Sequence, residues 1–136
     1  MPDRTAFLAR LIGLYCLIAA LVMALGRDSW LAAVTALTSS APLMLLLGLL
    51  LVGVGLALVL SHNVWSGGAL PVVVTVIGWL TLAKGLMFWL LPPGAAADLY
   101  LIRLHYAGLY YVYCALAFAI GLYLTAAGFR RRAPAA

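Results

Sequence analysis

Acid is what this sequence most conspicuously lacks. It has no glutamate and three aspartates, and charged residues of both signs make up only 8% of it. A soluble domain carries about 25% charged residues. Without that polar coat the chain needs lipid as the solvent for much of its surface. Too little polar sequence remains for a second, soluble domain. The same shortage thins out the chemistry. No aspartate falls inside a hydrophobic run, and no Ser/His/Asp order, HExxH pattern or phosphate-cradling glycine loop occurs. Gly67-Gly68 reads as a flexible turn. Cysteine is scarce as well. Cys16 and Cys114 lie in separate apolar runs, outside any CxxC spacing, and are expected to act as small buried apolar residues. No metal and no cofactor are expected, and catalysis has little support.

What is abundant is hydrophobic sequence, which makes up 68% of the 136 residues. About 20 residues of helix cross a hydrocarbon core about 30 Å thick. Four runs reach that length, at roughly residues 6–25, 42–60, 70–91 and 99–129. A basic start before an apolar run also marks cleaved leaders, but Leu11 to Leu25 is at the upper limit for one, so a retained helix is expected. Arg10, one turn inside, is expected to snorkel to the head groups. In the connection from Gly26 to Ser40, Trp30, Leu31, Val34 and Leu37 recur at helical spacing, and Asp28 or Ser29 suits an N-cap. This predicts a short amphipathic helix on the membrane surface, with Trp30 in the interface. Pro42 and Pro71 suit the first turns of the second and third spans, and Pro92-Pro93-Gly94 ends the third. The fourth run exceeds what a bilayer needs, which predicts a tilt or a projection into water. The expected fold is an all-α membrane protein, a single integral domain built as a four-transmembrane-helix bundle. The amphipathic surface helix lies between helices 1 and 2.

The net charge of +5 would suit nucleic acid, but the basic residues sit at the ends of hydrophobic runs, as topology signals do. The bilayer, not nucleic acid, is the expected partner. Arg4, Arg10 and Arg130-Arg131-Arg132 fall on the side of both termini, and Arg27 and Arg103 on the other. The positive-inside rule then puts both termini in the cytoplasm. The Ala/Leu/Arg-rich composition suggests a bacterial inner membrane. On that topology the His62 turn is cytoplasmic, and Asp28 and Asp98 face outward.

Small residues mark the packing faces. Gly48 and Gly55 are a heptad apart, and Gly53 and Ala57 form a small-xxx-small pair. In the third span Thr75, Gly78, Leu82 and Gly85 form one stripe. In the fourth, Arg103, Tyr106, Tyr110, Ala117, Gly121 and Gly128 share one face at 100° per residue.

Lys84 is the most informative residue, since it lies inside a span, about 10 Å from its outer end. Thr81 precedes it by one turn. In one reading Asp98 or Asp28 neutralises Lys84 or Arg103 within a structural network. In the other, Lys84, Arg103, Tyr106 and Tyr110 line an outward-facing pocket for an anionic group such as a lipid phosphate or carboxylate. The paired reading carries more weight, because intramembrane charges are usually matched within the protein. His62, Asn63 and Trp65 form a turn whose plainest role is an interfacial anchor. A histidine can also shuttle protons or bind metal, but no second ligand stands at metal spacing.

The succession HNVW, VTVIGWLTLAKG and LLPP, from His62 to Pro93, resembles an arrangement in small, uncharacterised bacterial inner-membrane proteins. The resemblance implies a short four-span protein without an assigned activity. Small multidrug transporters share the size and span number but depend on an intramembrane glutamate, which is absent here. The polar motifs of small fluoride channels find no match either. The leading expectation is therefore a non-enzymatic accessory or scaffolding subunit. It would pack through its Gly/Ala faces as a homo-oligomer or within a larger membrane complex. The alternative is a small transporter, channel or lipid- or anion-binding protein that uses the Lys84/Arg103/Tyr pocket.

Overall fold

A backbone in hydrocarbon must satisfy its own hydrogen bonds, and uninterrupted apolar runs do so as helices. In the computed structural model residues 2–130 are described, and no strand occurs among them. The helices are α1 (Pro2–Leu25), α2 (Arg27–Ser39), α3 (Ala41–Ser61), α4 (Ala69–Leu90), α5 (Pro93–Ala97) and α6 (Tyr110–Arg130), with a π-helical segment at Asp98–Arg103. Four of them, α1, α3, α4 and α6, are long and apolar enough to cross a membrane. This is the all-α four-helix bundle that composition predicts. Arg131 and Arg132 lie outside the described residues.

The bundle consists of two antiparallel pairs. In α3 and α4 the backbones come so close that a Cβ on Gly55 would lie 2.5 Å from the Leu82 nitrogen, and one on Gly85 2.6 Å from that of Val52. In α1 and α6, a Cβ on Gly13 would lie 2.6 Å from the Thr125 nitrogen. Glycine at these sites removes the side chain that would hold the helices apart. Arg10 turns toward the end of α6. Its Nε donates to the Gly128 carbonyl at 2.9 Å, and its guanidinium lies 4.9 Å from the Phe129 ring centroid. It thereby satisfies one of the last carbonyls of α6.

The pairs join at one end and part at the other. At the end that carries the termini, Ala9, Ile12, Leu58, Leu70, Val74 and Leu124 form one core shared by all four long helices. At the far end there are two separate cores. Ala20, Met23, Tyr110 and Cys114 serve α1 and α6, while Met44, Phe88 and Ala96 serve α3, α4 and α5. α2 bridges them, since Trp30 and Leu31 pack on the first and Leu37 on the second. The apolar face expected of α2 is thus present. Its expected side-chain cap is not, because Gly26 occupies the N-cap position and Asp28 falls in the first turn.

The fourth span departs from the sequence reading. A continuous helix is expected from residue 99, whereas α6 starts at Tyr110. Asp98–Arg103 forms the π-helical segment, and His105 then adopts a positive φ of 46°. That left-handed residue, followed by Gly108, breaks the helix. The length is absorbed by a fold-back at the far end. Arg103 and Tyr106 are therefore not on α6, while Tyr110, Ala117, Gly121 and Gly128 keep their common face toward α1. Gly53 also departs from expectation. Its face meets nothing within 4 Å, so it serves no packing inside the chain.

Candidate functional site

Where the pairs part, they enclose a cleft of about 360 Å³, within the usual range of small-molecule sites. Tyr15 of α1 lines one wall. Leu47 and Leu51 of α3 and Lys84 and Phe88 of α4 line the other. α2 forms the roof with Trp30, Val34, Leu37 and neighbouring residues, and Tyr106 closes the rim. Lys84 is the charged residue among those lining the cleft. It is six residues before the end of α4, hence about 9 Å below it. Lys84 is exposed. Nζ lies 6.0 Å from the Phe88 ring centroid, at the outer limit of a cation–π contact.

Tyr106 is held from several directions. Its hydroxyl accepts a hydrogen bond from Trp30 Nε1 at 3.0 Å. Its ring stacks on Tyr113 at 5.2 Å between centroids and meets Tyr110 edge-on at 6.1 Å. Tyr113 donates to the Leu104 carbonyl at 3.2 Å and Tyr110 to that of Met23 at 2.7 Å. The Tyr106 oxygen accepts from the indole, which leaves its own O–H as a donor. The hydroxyl of Thr38, also in the lining, is already used on the Val34 carbonyl at 2.8 Å.

Lys84 and Tyr106 are thus brought together in one cleft, and the other expected ligand residues are not. Arg103 is exposed in the π-helical segment and does not line the cleft. Tyr110 is fully buried and ties α6 to α1. Thr81 donates to the Ile77 carbonyl at 2.7 Å and lies outside the lining. Asp28 pairs with its neighbour Arg27 at 3.6 Å. Arg27 in turn donates to the Ala107 carbonyl at 3.3 Å and sits 5.7 Å from the Tyr110 ring centroid.

The turn between α3 and α4 is braced internally. His62 is 5% exposed, and its Nε2 lies 3.3 Å from the Pro71 carbonyl, so that nitrogen carries the proton. Thr75 Oγ1 accepts from the Val64 amide at 3.0 Å. The Asn63 side-chain oxygen accepts from the indoles of Trp65 at 2.8 Å and Trp79 at 3.4 Å. Positive φ at Gly67 and Gly68 completes the reversal. These contacts make His62, Asn63 and Trp65 parts of a turn.

Tyr15 is the cleft residue that sequence reasoning passes over. It is 72% exposed in the middle of α1, ten residues and about 15 Å from the far end. Its hydroxyl makes no hydrogen bond to any described residue. The available signal is one tyrosine in mid-span, where a hydroxyl without a partner is costly.

No protein-family model, curated protein or solved structure matches this chain.

Proposed function

We propose that this chain is a non-enzymatic, multi-pass protein of a bacterial inner membrane that holds an anionic group, a lipid phosphate or a carboxylate, in the cleft between its helix pairs. The observation that carries this reading is the place of Lys84, in the lining of the same cleft as Tyr106. A cation and a tyrosine hydroxyl in the lining of a largely apolar cleft suit an anion or a strong acceptor. With Arg4, Arg10 and Arg130 at the terminal end, the positive-inside rule supports cytoplasmic termini and a cleft on the outer side.

The scaffolding reading draws less support from the glycines. Gly48, Gly55, Gly78, Gly85 and Gly121 all meet neighbours within the chain, and Ala117 packs in the α1–α6 core. One observation still favours it, since Gly53 and Ala57 lie exposed one turn apart on α3.

Native mass spectrometry after gentle extraction tests the proposal. The expected result is a stoichiometric anionic adduct that is lost in Lys84→Gln while the protein stays folded. A heteromeric assembly that carries no adduct and is indifferent to Lys84→Gln would replace the binding reading with the subunit one.

A further inference from the structure

We infer, on the reading of the cleft as an anion site, that the anionic group is carried by a transmembrane helix of another protein. That helix lies along the mouth of the cleft, with an aspartate or glutamate at Lys84 and a hydrogen-bond acceptor one turn deeper at Tyr15.

Two polar side chains line the cleft from within spans. Lys84 lies about 9 Å below the far end of α4, and Tyr15 about 15 Å below that of α1. Both are exposed, Tyr15 to 72%. A lining residue exposed to that degree means that the cleft is open at mid-span. Leu11, Ile18 and Val22 are exposed at helical spacing from Tyr15 and extend the same face along α1. An apolar helix face with a hydroxyl at its middle, beside a wall that carries a cation, is a surface for a second helix with matching polar groups.

Depth and charge choose among the occupants. The phosphate and ester oxygens of a lipid lie at the border of the hydrocarbon, so a lipid can serve Lys84 but has nothing polar to offer Tyr15. At mid-span the available acceptors belong to protein, and the Tyr15 hydroxyl makes no hydrogen bond to any described residue. A second copy of this chain does not supply the acid, because none of its four spans contains aspartate or glutamate. The two donors differ in depth by about 6 Å, the rise of four helical residues, and residues four apart share one helix face. A helix is about 10 Å across with its side chains. It therefore stays at the mouth of a cleft of about 360 Å³ and inserts side chains against Leu51 and Phe88.

Site-specific photocrosslinking in the native membrane tests this. Benzoylphenylalanine takes the place of Tyr15 in the full chain and keeps an aromatic ring at an exposed position. Ultraviolet light is expected to join the chain one to one to a different protein. Peptide mass spectrometry should place the crosslink in a transmembrane segment, within about one turn of an aspartate or glutamate. Lys84→Gln should cut the yield about tenfold, the worth of a hydrogen bond to a charged group, and Lys84→Arg should keep it. Lys84→Glu should abolish the crosslink, and replacing the partner's acid by lysine should then bring it back. Unchanged melting curves of the Lys84 variants show that the fold is not what is lost. No crosslink, or one to lipid alone, to a second copy or to a segment without an acid, overturns the partner helix. So does a yield indifferent to Lys84→Gln. If native mass spectrometry then still finds an anionic adduct that Lys84→Gln removes, the anion site stands and only the partner helix falls. If it finds none, both fall.

Discussion

Gly53 and Gly55 are two residues apart on α3 and face opposite situations, which makes them a direct measure of what close approach contributes. At both, alanine gains about 0.5–1 kcal/mol by restricting the unfolded backbone. At Gly53 nothing lies within 4 Å to oppose that gain, so Gly53→Ala should raise the thermal midpoint in detergent slightly. At Gly55 the new methyl would meet the backbone of Leu82 at 2.5 Å, and no side-chain rotation relieves that contact. Overpacking of this kind costs about 1–3 kcal/mol, which exceeds the gain, so Gly55→Ala should lower the midpoint. Equal shifts in the two variants would mean that the α3–α4 approach is looser than described. The pair also shows how far residue-level reading reaches. The heptad from Gly48 to Gly55 and the stripe through Gly78 and Gly85 identify the seam correctly. Spacing alone cannot say which of several small-residue faces has a partner, and Gly53 with Ala57 fits the motif equally well. On α1, apolar in every direction, neither Gly13 nor Tyr15 stands out, because a face is legible only by contrast.

At the scale of the element, α2 is the piece whose stability is separable from the rest. It lies across the parted ends of both pairs and is tied to the fold-back before α6 by the bond from Trp30 to Tyr106. Trp30→Phe keeps an aromatic ring against Met23 and Tyr110 and removes only the donor. A hydrogen bond of this kind is worth about 1 kcal/mol, so amide exchange across α2 should speed up roughly fivefold. Exchange in α3 and α4 should not change. Hydrogen-exchange mass spectrometry in nanodiscs reads both at once, and uniform acceleration through the whole bundle would show that α2 does not open by itself. The four long helices and α2 were legible from run length, proline and helical spacing. The start of α6 was not. Leu99, Leu101, Ile102 and Leu104 carry the apolar pattern straight through the π-helical segment, and what ends it is the left-handed His105. A histidine gives no such warning in a sequence. The consequence reaches the site, because the fold-back carries Arg103 away from Lys84 and brings Tyr106 beneath Trp30.

For the whole molecule, the arrangement of the pairs and the side of the membrane they face together decide where the proposed anion site opens. The shared core of Ala9, Leu58, Val74 and Leu124 lies at the terminal end, so the pairs can part only at the other. The cleft therefore belongs to one leaflet. Arg4, Arg10 and Arg130 at the terminal end favour a cytoplasmic position for that end, and the proposed topology then puts the cleft on the outer side. Single cysteines test this in a chain with Cys16 and Cys114 replaced by alanine. Ser29 on α2 and Ser66 in the α3–α4 turn are both exposed and lie at opposite ends. Ser29→Cys should react with a membrane-impermeant maleimide in intact spheroplasts, and Ser66→Cys only after lysis. The reverse pattern would move the cleft to the cytoplasmic leaflet. The proposed anion site at Lys84 would then face the cytoplasmic side. A protein labelled at both positions without lysis would have fewer membrane-crossing helices than four, and its cleft would open to water.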